Sequence, residues 1–304
     1  MALNDSDIGA IRGSLRELAS ASERVVRSIA TSVVPEDSSA YAHALGVIKL
    51  LGKQDLFTAA HTSVHVMILT AADHAKTFVS AVKRPGTTTS TAVLTRGVVE
   101  ALAKCHYLLT SSDARALLQR YVALQEYEFQ GMKSSDFQDA EGNLVQAAEH
   151  IAKLRETLNN QAVPPLSLRQ HAVNLSTMVR DLLDASAELD SGLGRKLYSQ
   201  LSSIAHANTS AILMYLCEGQ VGPRLWMPRE LVLEQTGMCI GTLQTVINEY
   251  LGYHQPASAV VERWNQALVR AGKPLNQLQA AISMTNDPSR TPHAQDQSGS
   301  SYDR

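Results

Sequence analysis

The segment Tyr198-Ser-Gln-Leu-Ser-Ser-Ile-Ala-His-Ala-Asn208 combines an apolar helical pattern with a row of polar side chains. At 100° per residue, Tyr198, Leu201, Ser202 and His206 fall on one face of a helix, within about 140° of one another. A phenol, a hydroxyl and an imidazole on a buried face need polar partners, because an unpaired buried donor costs free energy. The segment therefore predicts a helix that packs against a second polar stripe.

The second polar stripe lies on the segment Arg96–Tyr107, where Arg96, Glu100 and Tyr107 project from one face of a predicted helix. We expect the two stripes to meet and form a polar pocket inside the helical core. An exposed Arg96–Glu100 pair would contribute only a few tenths of a kcal/mol. A buried pair needs further hydrogen bonds, which Ser202 and His206 could supply. Both a structural polar network and a ligand-binding or catalytic site fit this pattern.

Length, composition and periodicity predict an all-α protein. A chain of 304 residues with 44% hydrophobic content can bury a large core. Apolar residues recur mostly at three- and four-residue steps, and no alternating strand pattern, repeat or glycine-rich phosphate loop is present. We expect a multi-helix bundle of mostly antiparallel neighbouring helices with no sheet. It should cover residues 1–285 and be followed by a disordered tail over residues 286–304, which contain almost no large apolar group.

Proline, glycine and capping residues divide the predicted bundle into helices. Asp37 or Ser38 is placed to cap the second helix, and Ser111-Ser112-Asp113 is expected to start another helix that runs through Gln130. The helix that carries His206 is expected to resume over Ile212–Leu216, and the last helix to be interrupted near Gly272-Lys273-Pro274.

Charge and cysteine content limit the partners and the location. The formal charge of −2, from 27 basic and 29 acidic side chains, gives no overall attraction to nucleic acid or to an anionic membrane. The apolar run Val64–Val82 contains charged residues and is too polar to span a bilayer. Cys105, Cys217 and Cys239 form no Cys-x-x-Cys pair, which indicates a cytoplasmic protein. A protein partner, RNA and a second copy of the chain remain open as partners.

His61 and His65 stand four residues apart on one helix face, a spacing that zinc sites use. The positions that continue this face are Ile68, Leu69 and Ala72, so a third ligand is missing. We therefore predict no bound metal and no cofactor, and interpret the two histidines as hydrogen-bonded members of the core.

The two polar stripes carry a resemblance to a known group of proteins. Arg96-x3-Glu100 followed by Tyr107-Leu-Leu, with a later Tyr198-x2-Leu-Ser-x3-His206, resembles a family of uncharacterised helical bacterial proteins catalogued as a domain of unknown function. The resemblance covers roughly residues 51–219. It implies a helical fold and brings no established activity.

The chain is also loosely similar to HEPN domains, helical modules of toxin–antitoxin and defence systems. Several of them cut RNA without a metal, using an arginine followed four to six residues later by a histidine. Here the interval before His206 holds no arginine, and Arg195 is too far along the chain. Ribonuclease activity would therefore require Arg96 to be supplied by another helix.

These observations rank two functions. The first is a non-catalytic helical binding or regulatory module, with a polar pocket between the Arg96 and His206 helices. The alternative is a metal-independent, HEPN-like ribonuclease, which an arginine beside His206 in an open cleft would favour. No Gly-x-Ser-x-Gly segment is present, which argues against a serine hydrolase. A purely structural His206 predicts that its replacement by alanine costs about 1–3 kcal/mol.

Overall fold

Helices dominate the part of the chain that the computed structural model describes. The structure describes residues 4–31, 39–83, 89–130, 136–138, 142–159, 174–186, 193–206, 208, 216–219, 222–225 and 229–285. The helices are α1 (Asp5–Ala30), α2 (Ala40–Leu50), α3 (Gln54–Val82), α4 (Ser90–Leu109), α5 (Ala114–Phe129), α6 (Ala147–Asn159), α7 (Leu175–Ser186), α8 (Leu193–Ala205), α9 (Arg229–His254) and α10 (Ser258–Thr285). The predicted all-α class is confirmed.

Side-chain caps fix where several helices begin. Asn4 and Asp7 form a reciprocal capping box at the start of α1, with hydrogen bonds of 2.9 and 3.1 Å between side chains and backbone amides. Ser39 caps α2 by accepting a hydrogen bond from the Ala42 amide. Asp113 caps α5 by accepting hydrogen bonds from the Arg115 and Ala116 amides, so a helix does start after Ser111-Ser112-Asp113 as predicted.

Helix α4 is the centre of the bundle and contacts α3, α5, α7, α8 and α9. Its buried face carries Val98, Val99, Leu102, Cys105 and Leu108, each with no exposed surface. Because apolar side chains fill this face, the charged side chains Arg96 and Glu100 of α4 lie at its edge, 20% and 23% exposed. The candidate site is found at that edge.

Helices α1 and α10 lie side by side and run in opposite directions. The Ser14 hydroxyl donates a 2.6 Å hydrogen bond to the Ala271 carbonyl, and Arg270 pairs with Glu17 at 2.8 Å. The predicted interruption near Pro274 is wrong, since α10 continues through Pro274 to Thr285. Packing of the α10 face against α1 offsets the backbone hydrogen bond that a proline cannot donate.

A buried ion pair joins the first turns of α1 and α9. The Arg229 guanidinium donates to both oxygens of Asp7, at 2.7 and 2.8 Å, and the Asp7 side chain is 1% exposed. This bidentate pair links two helices that are more than two hundred residues apart in sequence.

Two short hairpins correct the expectation of no sheet. Strand β1 (Asp136–Gln138) pairs antiparallel with β2 (Leu144–Gln146), and β3 (Leu216–Gly219) pairs antiparallel with β4 (Gly222–Leu225). Leu216 therefore lies in a strand and not in the predicted helical continuation. Strands of three and four residues are too short to show a recognisable alternation in the sequence.

None of the helices in the described part of the chain is long and apolar enough to cross a membrane. The predicted tail, residues 286–304, lies outside the described residues, as does the side chain of Cys217. Cys105 and Cys239 are buried free thiols.

Candidate functional site

Helices α4 and α8 cross so that their polar side chains meet in an antiparallel arrangement. Arg96 contacts His206, and Glu100, one turn further along α4, contacts Tyr198 near the middle of α8. The sequence predicted this contact between the two stripes, and the structure contains it. We refer to Arg96, Glu100, Tyr198 and His206 as the α4–α8 polar cluster.

Glu100 is the anchor of the α4–α8 polar cluster. Its Oε1 atom accepts a 2.5 Å hydrogen bond from Arg96 Nε and a 2.9 Å hydrogen bond from the Tyr198 hydroxyl. The side chains of Arg96 and Glu100 are 20% and 23% exposed. The expected pocket inside the core is therefore an open cluster at the edge of the core.

The phenol of Tyr198 is held in its neutral form. Burial, followed by the hydrogen bond and the negative charge of Glu100, raises the pKa of Tyr198 to about 12, and the nearby Arg96 opposes this shift. The Arg96 guanidinium carbon lies 5.9 Å from the centre of the Tyr198 ring. A neutral phenol here can donate a hydrogen bond but does not act as a base near neutral pH.

Arg96 remains charged while it makes these contacts. Partial burial alone would lower its pKa, but the hydrogen bond and charge of Glu100 outweigh this effect and raise the pKa of Arg96. Its contacts with Glu100 and His206 use the Nε and Nη1 atoms. The Tyr198 hydroxyl also interacts with the guanidinium.

His206 lies immediately after the end of α8 and is exposed. Its Nε2 atom is 3.1 Å from Arg96 Nη1. Because a guanidinium can only donate, Nε2 accepts this hydrogen bond and the proton of the neutral ring sits on Nδ1. The structure thus places an arginine from another helix beside an exposed histidine.

The other two predicted site residues do not join these contacts. The Ser202 hydroxyl makes no hydrogen bond within the described ranges, and its carbonyl accepts from the His206 amide at 3.0 Å. Tyr107 stands eleven residues after Arg96 on α4, roughly 16 Å along the helix axis. Its ring packs under the Arg120 guanidinium of α5, 4.9 Å from the ring centre.

A close approach between α3 and α4 lies directly beside Arg96. A β-carbon added to Gly97 would fall 2.3 Å from Nδ1 of His74 on α3, so only glycine allows this separation. The His74 ring therefore rests against the backbone turn that carries Arg96. The sequence did not predict the contact between Gly97 and His74, because nothing in the helical pattern identifies Gly97 as a contact residue.

A second polar group lies where α2, α3 and α9 meet. His61 and His65 of α3 are joined there by His254, the last residue of α9, with the ring centres of His61 and His254 5.5 Å apart. His65 Nε2 bonds the Tyr250 hydroxyl at 2.6 Å. We refer to His61, His65 and His254 as the histidine cluster.

The histidine cluster departs from the predicted hydrogen-bonded pair. Both ring nitrogens of the buried His61, and Nε2 of His254, have no hydrogen-bond partner among the residues that the structure describes. The ring of Tyr41 instead packs edge-on against His61, at 4.9 Å between centres. His254 was missed because it is almost two hundred residues from His61 in sequence.

The described ranges contain no group of three or more His, Cys, Asp or Glu side chains that could hold a metal ion, and the histidine cluster is no exception. The α4–α8 polar cluster contains one carboxylate, already bonded to Arg96 and Tyr198, and one exposed imidazole. It offers hydrogen-bond donors and a histidine to a ligand, and not a metal-binding set.

Comparison of the chain with protein-family models, curated proteins and solved structures finds no match. The resemblance carried by the two motifs therefore stays a prediction.

Proposed function

We propose that the chain is a helical binding module that recognises a phosphate-bearing ligand at the α4–α8 polar cluster. The observation that carries the proposal is the 3.1 Å contact between Arg96 and the exposed His206. Glu100 and Tyr198 hold the guanidinium in place before any ligand arrives, so little side-chain freedom is lost on binding. A planar guanidinium suits phosphate oxygens because it can donate two parallel hydrogen bonds.

The bonding within the cluster favours binding over catalysis. Arg96 occupies the Nε2 lone pair of His206, which a general base would use. The raised pKa of Tyr198 keeps its phenol protonated. Glu100 is bonded to both Arg96 and Tyr198, so the cluster in this arrangement presents the charged donors of Arg96 but no free base.

RNA is the first ligand to test, because the similarity to HEPN domains points to it. We expect a fluorescently labelled single-stranded RNA to bind and to raise its anisotropy, with affinity falling as salt rises. Arg96→Gln should weaken binding by about tenfold or more, since a charge-assisted hydrogen bond contributes about 1.5–3 kcal/mol.

The matched control for Arg96→Gln is Arg180→Gln on α7, where the arginine is partly exposed and pairs with the adjacent Asp181 at 2.9 Å. This change alters the net charge equally and should leave affinity within about twofold. Circular dichroism of both variants verifies that they are folded. If both changes weaken RNA binding equally, the effect is one of overall charge and not of the α4–α8 polar cluster. If the wild type does not bind RNA, RNA is excluded as the ligand.

Metal-independent RNA cleavage is the second candidate, and the same Arg96–His206 contact supports it. A phosphate that enters between the two side chains would take the guanidinium donors and release His206 Nε2 for proton transfer. A gel assay of labelled RNA in the presence of EDTA separates the two candidates. If the wild type cleaves RNA and a folded His206→Gln variant does not, the ribonuclease becomes the favoured hypothesis. If the protein binds RNA without cleaving it, the binding module is supported.

The cytoplasmic location belongs to the same proposal, and the two buried free thiols support it. A protein partner and a second copy of the chain remain predictions. Size-exclusion chromatography with light scattering tests self-association directly.

A further inference from the structure

A groove of about 230 Å³ lies between α1 and α10, away from α4 and α8. Three arginines stand along it, Arg24 and Arg27 from α1 and Arg263 from α10. Its remaining lining includes the apolar residues Ala21, Val25, Val260 and Trp264, together with Ser28. We refer to this feature as the arginine groove.

Acidic side chains only partly balance the three arginines. Arg24 is 3.5 Å from Glu17, but Glu17 is shared with Arg270, which is closer at 2.8 Å. Neither Arg27 nor Arg263 forms an ion pair with any carboxylate that the structure describes. The arginine groove therefore carries an excess of positive charge.

Of the other acids on these helices, Glu23 is neutralised by another cation, and Glu262 offsets at most one of the arginine charges. Glu23 pairs with Lys76 of α3 at 2.6 Å. Glu262 accepts a hydrogen bond from Gln266, one turn further along α10, at 3.3 Å. The first turn of α10 begins at Ser258, beside Val260, and its helix dipole adds to the positive potential.

The floor of the groove is apolar and almost fully buried. Val25 and Val260 are 4% and 9% exposed, and Trp264 is 1% exposed with its indole nitrogen bonded to Asn248 at 2.8 Å. Small apolar openings at the edge of a core favour a ligand that can displace water from them. The groove thus presents positive charge at its rim and apolar surface at its base.

We propose that the arginine groove binds a small organic anion that has one acidic head group and an apolar body. The guanidinium groups of Arg27 and Arg263 hold the carboxylate or phosphate head, and the apolar body lies against Val25, Val260 and the edge of Trp264. Inorganic phosphate alone would gain nothing from the apolar floor. A nucleic acid strand would need a row of basic groups, and this groove accommodates one head group.

Trp264 provides a direct readout of binding. The chain contains two tryptophans, so Trp226→Phe leaves Trp264 as the single indole. In this background we expect octanoate and octyl phosphate, below their micelle concentrations, to change the Trp264 fluorescence saturably. Octanol lacks the head group and inorganic phosphate lacks the body, so both should bind at least about tenfold more weakly.

The arginine requirement is tested by the double change Arg27→Gln/Arg263→Gln, which should raise the Kd for octanoate by about tenfold or more. The matched control is Arg12→Gln/Arg16→Gln, which removes the same charge from exposed positions of α1 outside the groove. The control should change the Kd by less than about twofold, and urea midpoints verify that both variants are folded.

Three results would overturn the proposal: equal Kd values for inorganic phosphate and octyl phosphate, equal losses in the groove and control variants, or binding only to vesicles that contain phosphatidylglycerol. The last result would assign the groove to a membrane surface instead of a free anion. The α4–α8 polar cluster is unchanged in every variant used, so these outcomes are independent of the proposed RNA binding.

Discussion

The position of His206 decides the role of its side chain. The sequence placed it among apolar neighbours, whereas the structure puts it just beyond the end of α8, exposed and bonded through one ring nitrogen to Arg96. A single hydrogen bond at an exposed site contributes little to stability because water replaces it readily. The side chain is thus better placed to meet a ligand than to support the core.

We therefore expect His206→Ala to lower the free energy of unfolding by less than about 1 kcal/mol, and not by the larger amount expected for a buried histidine. Urea denaturation followed by circular dichroism measures this change. Tyr198→Phe is the comparison, since it removes a half-buried hydroxyl that bonds the Glu100 carboxylate. A larger loss for His206→Ala than for Tyr198→Phe would contradict the exposed position of His206.

Gly97 is the residue where the site depends most closely on backbone separation. An added β-carbon would overlap the His74 ring, so Gly97→Ala must move α3, α4 or the imidazole. We expect a loss of about 1–3 kcal/mol, the usual cost of overpacking, together with weaker ligand binding through a displaced Arg96. Thermal denaturation and the RNA titration report the two effects.

Gly9→Ala is the matched control for Gly97→Ala. Gly9 is an exposed residue of α1, and nothing lies within 4 Å of the position of an added β-carbon. Alanine should therefore stabilise the protein by about 0.5–1 kcal/mol through helix propensity. If Gly97→Ala and Gly9→Ala change the stability equally, an added β-carbon at Gly97 does not disturb the packing of α3 against α4.

At the scale of elements, the buried ion pair between α1 and α9 makes a strong prediction. Asp7→Ala removes the partner of Arg229 and one half of the α1 capping box. We expect a loss of about 3–5 kcal/mol, because a buried charge left without its partner is costly. Urea denaturation measures it, and Asp5→Ala, an exposed change in the same turn, should cost far less.

A second variant distinguishes the ion pair from the cap. Combining Asp7→Ala with Arg229→Met removes both charges, so much of the lost stability should return. If the double variant is as unstable as Asp7→Ala alone, the capping box and not the ion pair accounts for the loss.

The sequence predicts elements better than it predicts their meeting points. Helical periodicity and the helix start at Ser111-Ser112-Asp113 anticipated the bundle, and two polar stripes on apolar helices anticipated the contact between α4 and α8. Tyr107 shares a face with Arg96 but lies three turns away, so facing the same direction did not bring it to the site. Contacts such as Gly97–His74 and His61–His254 depend on tertiary packing, which no local pattern encodes.

On the scale of the whole molecule, the histidine cluster couples stability to pH. Burial first, and then His254 and His65, lower the pKa of His61 well below its ordinary value. Burial lowers the pKa of His65, and burial together with His65 lowers that of His254 to about 3. The surrounding phenols of Tyr41, Tyr250 and Tyr253 have raised pKa values and stay neutral in acid.

All three histidines regain a pKa of about 6.5 on unfolding, so the unfolded chain binds more protons in acid. The free energy of unfolding should therefore be highest above about pH 6.5 and fall below it, by as much as about 1.4 kcal/mol per pH unit for each histidine. Urea denaturation between about pH 7.5 and pH 5 covers this window and avoids most carboxylate titration.

His61→Leu replaces the imidazole with an apolar side chain of similar size and removes one titrating group from the histidine cluster. Its stability should decline less steeply with acid than that of the wild type, by up to one histidine's share of the slope. Identical slopes for the two proteins would show that His61 does not bind a proton on unfolding.

The antiparallel contact between α1 and α10 also has a kinetic consequence. The Ser14–Ala271 hydrogen bond joins residues 257 positions apart, and closing a flexible loop of that length costs about 5 kcal/mol of chain entropy. Helices α3 and α4 are neighbours along the chain and close a far shorter loop. We expect α1 and α10 to pair late in folding, and their amides to exchange with deuterium before those of α4 in native-state measurements. The arginine groove would then form only when α1 and α10 pair, in the last step of folding. A ligand bound in the groove should therefore slow the separation of these two helices, which is the first step of unfolding.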